Sequence, residues 1–226
     1  MRKVILFFVL SVFLCLCAGC MSMTYKPEVA LGLSPETIQA AVQIEVFDDL
    51  SPDEDKKLKA LGWSAAHPRN LAGNMAVEIT DAVLRDFRNN RLFIAVEKRI
   101  ENPDVIIKGK INRFYGKAGP MLWTVPIDIL WFFGLPMESV DSGVDIEISL
   151  YSAKGGLIGN YRGKAEYSEY HTIYNSTQTG IGAVLNNNFS KAMQEIRVSI
   201  LKDEQKIFKF ISVRVKEQRP VVKNVP

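Results

Sequence analysis

Cysteine is nearly missing from this 226-residue chain: Cys15, Cys17 and Cys20 are the only three, all within the first 20 positions. A domain folded from the remainder has no disulfide, no thiol nucleophile and no cysteine metal ligand. Histidine is scarcer still. His67 and His171 stand far apart, outside any His-x-x-x-His spacing. Charge of one sign is lacking too, with 28 basic residues against 25 acidic. Losing Arg2 and Lys3 with residues 1–19 would lower the net charge from +3 to +1. That argues against nucleic acid, which requires a strongly basic face. No uninterrupted apolar run reaches the ~20 residues of a spanning helix.

What is present begins at the N-terminus. Arg2 and Lys3 precede an apolar run from Val4 to Cys17, broken only by Ser11, and then the small residues Ala18 and Gly19. This is the three-part layout of an export signal, expected over residues 1–19. The residue after the expected cut is Cys20, whose thiol can be alkylated by a diacylglycerol donor. Leu16-Cys17-Ala18-Gly19-Cys20 resembles the lipobox of bacterial lipoproteins, with Cys17 where leucine is usual. The resemblance implies a covalent diacylglycerol and an N-acyl chain, palmitate among them, on Cys20, and no other cofactor. Two or more chains anchor a protein stably. An uncleaved signal anchor over Val4 to Met23 is the competing reading. Met21 in place of aspartate favours the outer membrane, with the domain facing the periplasm.

Residues 20–40, with Pro27 and Pro35 and no clear period, read as a lipidated N-terminus and flexible tether. A free linker of 20 residues has a mean reach of roughly 25 Å. A single domain is expected over 41–210, then a frayed tail over 211–226. Val42, Ile44 and Val46 alternate with polar residues in a first strand, Ala41 to Phe47. The charged stretch 48–59 reads as a solvated loop. Asn70 is placed to cap a helix to about Asn89, with Met75, Ile79, Val83 and Phe87 on one face. Strands follow at Leu92 to Glu97 and Val105 to Tyr115, then an insertion over 117–138. Val140 to Tyr151 gives the cleanest period of two, and Ala153-Lys154-Gly155-Gly156 turns the chain into Leu157 to Tyr170. A last helix runs from about Thr179 to Gln205. The order β-α-β-β-(insertion)-β-β-α predicts an α/β two-layer sandwich, two helices on one face of a mixed sheet.

The insertion is strongly apolar. Leu122, Trp123, Ile129, Leu130, Trp131, Phe132 and Phe133 dominate it, and Pro120, Pro126 and Pro136 interrupt it. Two readings stay open: a loop that completes the core, or an exposed patch that contacts membrane or a partner. Catalytic and metal sites are expected to be absent. Asp145 and Glu147 share a wet strand face, and His171 reads as a polar edge or loop residue. Gly180-Ile181-Gly182 lacks the third glycine and the lysine of a phosphate loop, and Asn186-Asn187-Asn188 reads as the solvent side of the last helix.

Asp104-Val105-Ile106-Ile107-Lys108-Gly109-Lys110-Ile111-Asn112-Arg113-Phe114, together with the lipobox and element order, is similar to a group of envelope lipoproteins. The group has an anticodon-binding-like fold and includes the curli-secretion lipoprotein and the activators of penicillin-binding proteins. Gly134-Leu135-Pro136 and Tyr174-Asn175 also look like those of poorly characterised bacterial lipoproteins. The resemblance implies a non-enzymatic accessory or assembly role. Membrane lipid through Cys20 and an envelope protein or a second copy are the expected partners, nucleic acid not. A carrier of lipid or another apolar ligand at 121–135 is the alternative, and an envelope hydrolase ranks last.

Overall fold

The computed structural model describes residues 25–59, 62–67, 70–71, 73–121, 132–172 and 180–218, with side chains to 211. Cys20 lies outside the described residues, as do Leu122, Trp123, Ile129, Leu130 and Trp131. The elements are β1 (Ile38–Ile44), β2 (Asp48–Asp49), α1 (Asp53–Lys56), β3 (Trp63–Ser64), α2 (Met75–Asn89), β4 (Phe93–Glu97), β5 (Val105–Pro120), β6 (Glu138–Ser152), β7 (Leu157–His171), α3 (Ile181–Lys202) and α4 (Glu204–Gln218).

The strands form one mixed sheet in the order β4-β1-β5-β6-β7, and β2 and β3 pair with β5 beyond the end of β1. β1 runs parallel to β4 and β5, whereas β5, β6 and β7 form an antiparallel meander. The long helices pack on one face, giving the expected α/β sandwich. Its core is the alternate residues of the strands set against the helix stripes. Val140, Ser142, Val144, Ile146, Ile148 and Leu150 of β6 are all buried, as the period of two requires. Leu185, Phe189, Ala192, Met193 and Ile196 of α3 meet them from the helix side.

Several boundaries move for identifiable reasons. β1 ends at Ile44, so Val46 is exposed while Phe47 is buried. The Phe47 ring fills the space over Gly109, where a Cβ would lie 2.5 Å from it. Glycine in that strand therefore marks close approach by a side chain. The cap of α2 is Asn74, whose side chain accepts from the Ala76 N–H at 2.8 Å, and not Asn70. Asn70 instead donates to the Ser64 carbonyl at 2.7 Å. In β7 a register shift pairs Tyr151 with Leu157 and Leu150 with Gly159. Ile158 is thereby buried and Leu157 turned outward, against the unbroken alternation expected. The expected insertion narrows, because Lys117 to Pro120 belong to β5 and Glu138 to β6. The last helix stops at Lys202 and a separate α4 follows, with Ile207 fully buried; α4 enters the stretch 211–226 expected to fray as far as Gln218, and 219–226 lie outside the described residues. No helix among the described residues is long and apolar enough to cross a membrane.

Candidate functional site

The segment expected as a free tether is laid onto the domain from Tyr25 onward. Tyr25 is 5% exposed, its ring 6.2 Å from Phe114, which in turn meets Phe189 edge-on. Its hydroxyl donates to Asn186 Oδ1 at 2.7 Å, and the Glu28 N–H reaches the same oxygen at 3.1 Å. The Tyr25 N–H donates to the Asn70 carbonyl at 2.5 Å. Further along, Arg85 donates to the Pro27 carbonyl at 2.9 Å. Asn90 receives the Gly32 N–H at its side chain (2.6 Å) and the Ser34 N–H at its carbonyl (2.8 Å). Asn90 itself is held by Asp86, which is wholly buried and ion-paired with Arg197. Residues 25–34 thus form a strap whose backbone groups are met by the side chains of Arg85, Asn90 and Asn186 and by the carbonyls of Asn70 and Asn90. Burial first, and the nearby Glu28 second, push the Tyr25 phenol far above its usual range.

Tyr25 lies five positions after Cys20, so that interval spans at most ~18 Å when fully extended. Changing Tyr25 to alanine should loosen the strap. Hydrogen exchange at the Glu28, Gly32 and Ser34 amides is expected to quicken at least tenfold relative to β6 amides, by nuclear magnetic resonance or mass spectrometry.

The strap begins where the β5–β6 hairpin leaves the domain. Tyr25, Trp63, Ala118, Gly180, Ile181 and Asn186 line one pocket of about 710 Å³. Strand pairing continues to Pro120 and Glu138, the Met121 N–H donates to the Met137 carbonyl at 2.9 Å, and the Met137 N–H donates to the His171 carbonyl at 2.8 Å. The described ends of the apolar insertion therefore continue the β5–β6 ladder. Phe132 and Phe133 stand 70% and 80% exposed in a short helical turn before Gly134, whose φ is +83°. Neither ring is core, unlike what the core-completing reading requires of them.

The outer sheet face is polar and ordered. Asp55 takes two hydrogen bonds from Arg113, at 3.0 and 2.9 Å, and that guanidinium lies 4.6 Å from the Tyr115 ring centroid. Tyr115 covers Gly143, where an added Cβ would sit 2.4 Å from its ring. Asp145 takes two from Arg162, at 2.7 and 2.5 Å, and Asn112 reaches it at 3.4 Å from the register shift in β5. Lys59 pairs with Asp141, and Glu166 with Lys164 at 3.1 Å. Stretch 48–59 is therefore not simply solvated: Asp55 is buried, and Lys59 clamps β6.

Arg162 foremost holds the Asp145 carboxyl below its ordinary value, against the opposing effect of burial. A carboxyl depressed by folding adds stability above its unfolded pKa, about 3.9, and loses it as pH falls through the lower folded value. Urea melts should find the wild type more stable than Arg162→Gln at pH 7, the difference shrinking below about pH 4. A difference independent of pH would mean that the pair's charge contributes nothing.

The remaining candidates settle as follows. His171, the last residue of the edge strand β7, is buried; its Nε2 lies 3.4 Å from the Tyr167 hydroxyl. The Glu169 carboxylate is the chief cause that pushes that phenol up to about 12. Asn188 is buried too, donating to the Ser142 carbonyl and hydroxyl at 3.3 and 3.1 Å, while Asn186 secures the strap. These two were expected in solvent. Gly182 lies against the Tyr25 ring, where an added Cβ would make ordinary contact at 3.4 Å. Among the described residues, no three acidic, histidine or cysteine side chains gather as metal ligands would.

No family model matches the sequence, and no curated protein matches it. Among solved structures, the chain is similar to protein XCC0632 from Xanthomonas campestris, described under the family model DUF330. The identity is 12%, the TM-score 0.43, and the match covers 87% of this chain and all of that one.

Proposed function

We propose that the chain is a bacterial envelope lipoprotein whose domain acts as a non-enzymatic accessory or assembly component. In this reading diacylglycerol and an N-acyl chain on Cys20 hold it at the outer membrane, the domain facing the periplasm. The observation that carries the reading is the strap. Tyr25 is built into the core five residues after an acylatable cysteine, which suits a domain mounted on its anchor. The outer face supports the accessory role, because Arg113, Asp145 and Arg162 are already fixed by their partners. Preset side chains lower the ordering cost when a partner of complementary charge docks. The lipobox and the strand motif around Gly109, similar to those of assembly lipoproteins, point the same way.

A carrier is the second reading, favoured by the pocket beside Tyr25, Trp63 and Ile181. Affinity capture of the tethered protein from native membranes, followed by native mass spectrometry, separates the two. An accessory brings down a defined protein partner or a ring of copies, and Arg162→Glu with Lys164→Glu abolishes that capture. A carrier emerges as a monomer with lipid bound. An unmodified Cys20 in the intact mass would remove the anchor.

A further inference from the structure

We infer that two copies of the domain join through the free edge of β7, antiparallel about a two-fold axis at Ala165, so that the sheet runs on from one copy into the other. The inference rests neither on acylation of Cys20 nor on the accessory role.

The two edges of the sheet differ. β4 is five residues long, and Arg88 donates to its Val96 carbonyl at 2.6 Å. β7 is 15 residues long, contains no proline, and among the described residues pairs with β6 alone. Its one register shift lies near Leu157, and the ladder from Gly159 to His171 is regular. A long, regular edge is a template for another strand. The Lys164 N–H donates to the Glu195 carboxylate of α3 at 3.1 Å, so that amide points away from β6. Backbone direction alternates along an antiparallel strand, so Arg162, Glu166 and Ser168 also turn their N–H and C=O groups to the edge.

Hydrogen-bond phase and charge together select one register. Edge-directed residues must face edge-directed residues, so the axis passes through a residue of β7. An axis at Lys164 or at Glu166 sets that residue against its own copy, and an axis at Gly163 sets Arg162 against Lys164. An axis at Ala165 sets Lys164 against Glu166 of the second copy, and Glu166 against Lys164. Arg162 then faces Ser168, with Glu166 of the second copy on its diagonal. Opposite charges directly across an antiparallel pair stabilise it, and like charges destabilise it. Lys164 and Glu166 are half exposed and already 3.1 Å apart within one chain, so the four charges at the axis alternate in sign. The facing pairs from Arg162 to Ser168 supply roughly eight backbone hydrogen bonds, two for each pair. Arginine and lysine are residue types that blunt an edge against unrelated strands. Here Glu166, two positions on, makes the same residues complementary to a second copy. Val198, exposed and sharing a groove with Glu195 on α3, adds apolar contact beside the seam.

The chain as purified from membranes in detergent is followed by sedimentation velocity and native mass spectrometry across a hundredfold range of micromolar concentrations. The expected result is a monomer–dimer equilibrium. Glu166→Lys should weaken it at least tenfold, because lysines then face each other on both sides of the axis. Lys164→Glu added to Glu166→Lys should restore it, which a fold damaged by the first change would not allow. Glu195→Ala, which releases the Lys164 amide, should tighten the dimer at least twofold. Ala165→Cys places two thiols on a facing pair whose Cα atoms lie about 4.5 Å apart, within disulfide reach, so oxidation should link the copies at that position in a peptide map. Asn160→Cys, which faces Tyr170 in this register, should not link to itself. A chain that stays monomeric throughout, including one that captures a strand of another protein instead, would overturn the inference. So would a dimer indifferent to Glu166→Lys, or one that links as readily through Asn160→Cys as through Ala165→Cys.

Discussion

Asp86→Ala is expected to destabilise the domain by about 3–5 kcal/mol, the usual cost of breaking a buried ion pair by removing one partner. Asp86 is fully buried on α2, and its Oδ1 receives both Arg197 of α3 and the Asn90 side chain. Asn90 in turn receives the strap at Gly32 and Ser34. One carboxylate thus joins both long helices and the N-terminal strap. Its Oδ2 is buried with no hydrogen-bond partner, and burial pushes its pKa up, although Arg197 and Asn90 oppose it. A carboxyl raised by folding gives its full stabilising share below the unfolded pKa and loses it as pH rises through the folded one. Asp86→Asn, which keeps the shape and removes the charge, should therefore cost markedly less than alanine at pH 7. Its deficit against the wild type should also be smaller at pH 7 than at pH 4. Urea melts of the two variants check both statements. If alanine and asparagine cost the same, the loss comes from the charge of the pair and not from packing.

Gly163→Ala should be nearly as damaging, at roughly 3 kcal/mol, the upper part of the range for overpacking. A Cβ there would stand 2.1 Å from the Ala192 carbonyl oxygen and 2.7 Å from its carbon. The obstacle is the backbone of α3, which cannot swing aside as a flexible side chain would. To make room, the helix must lift from β7, loosening Phe189, Met193 and Ile196 from the sheet. For a chain of this size the melting temperature should fall by about 6–12 °C. Gly180→Ala is the control. Gly180 has φ −54°, and an added Cβ meets nothing within 4 Å, so the change should be close to neutral.

The sheet was legible because β6 and β7 lie at its wet, half-covered part, where alternation writes burial directly into the chain. It misled at Leu157, since a register shift leaves no mark in residue type, and at Val46, which lies beyond the end of β1. The stripe of α2 was equally clear, but its start was not. Asn70 and Asn74 are the same residue four positions apart, and only the fold decides which amide caps and which ties down the Ser64 loop. The strap was invisible for a different reason. It has no period, since its contacts come from single residues, one aromatic ring and a series of backbone groups, met by Asn186, Arg85 and Asn90 from remote parts of the chain. Asparagines in a helix read as solvent-facing by default, which hid Asn186 and Asn188. Of the site residues named from sequence, Phe132 and Phe133 are placed on the surface, and the others lie outside the described residues.

Neutron reflectometry on the acylated chain in a supported bilayer tests most directly whether the strap mounts the domain on its anchor. Protein density should begin at the headgroups, and the body should start within ~18 Å of them, the extended length of the five steps from Cys20 to Tyr25. A water layer of roughly 25 Å or more between lipid and body, the mean reach of an unpinned 20-residue linker, would contradict the account.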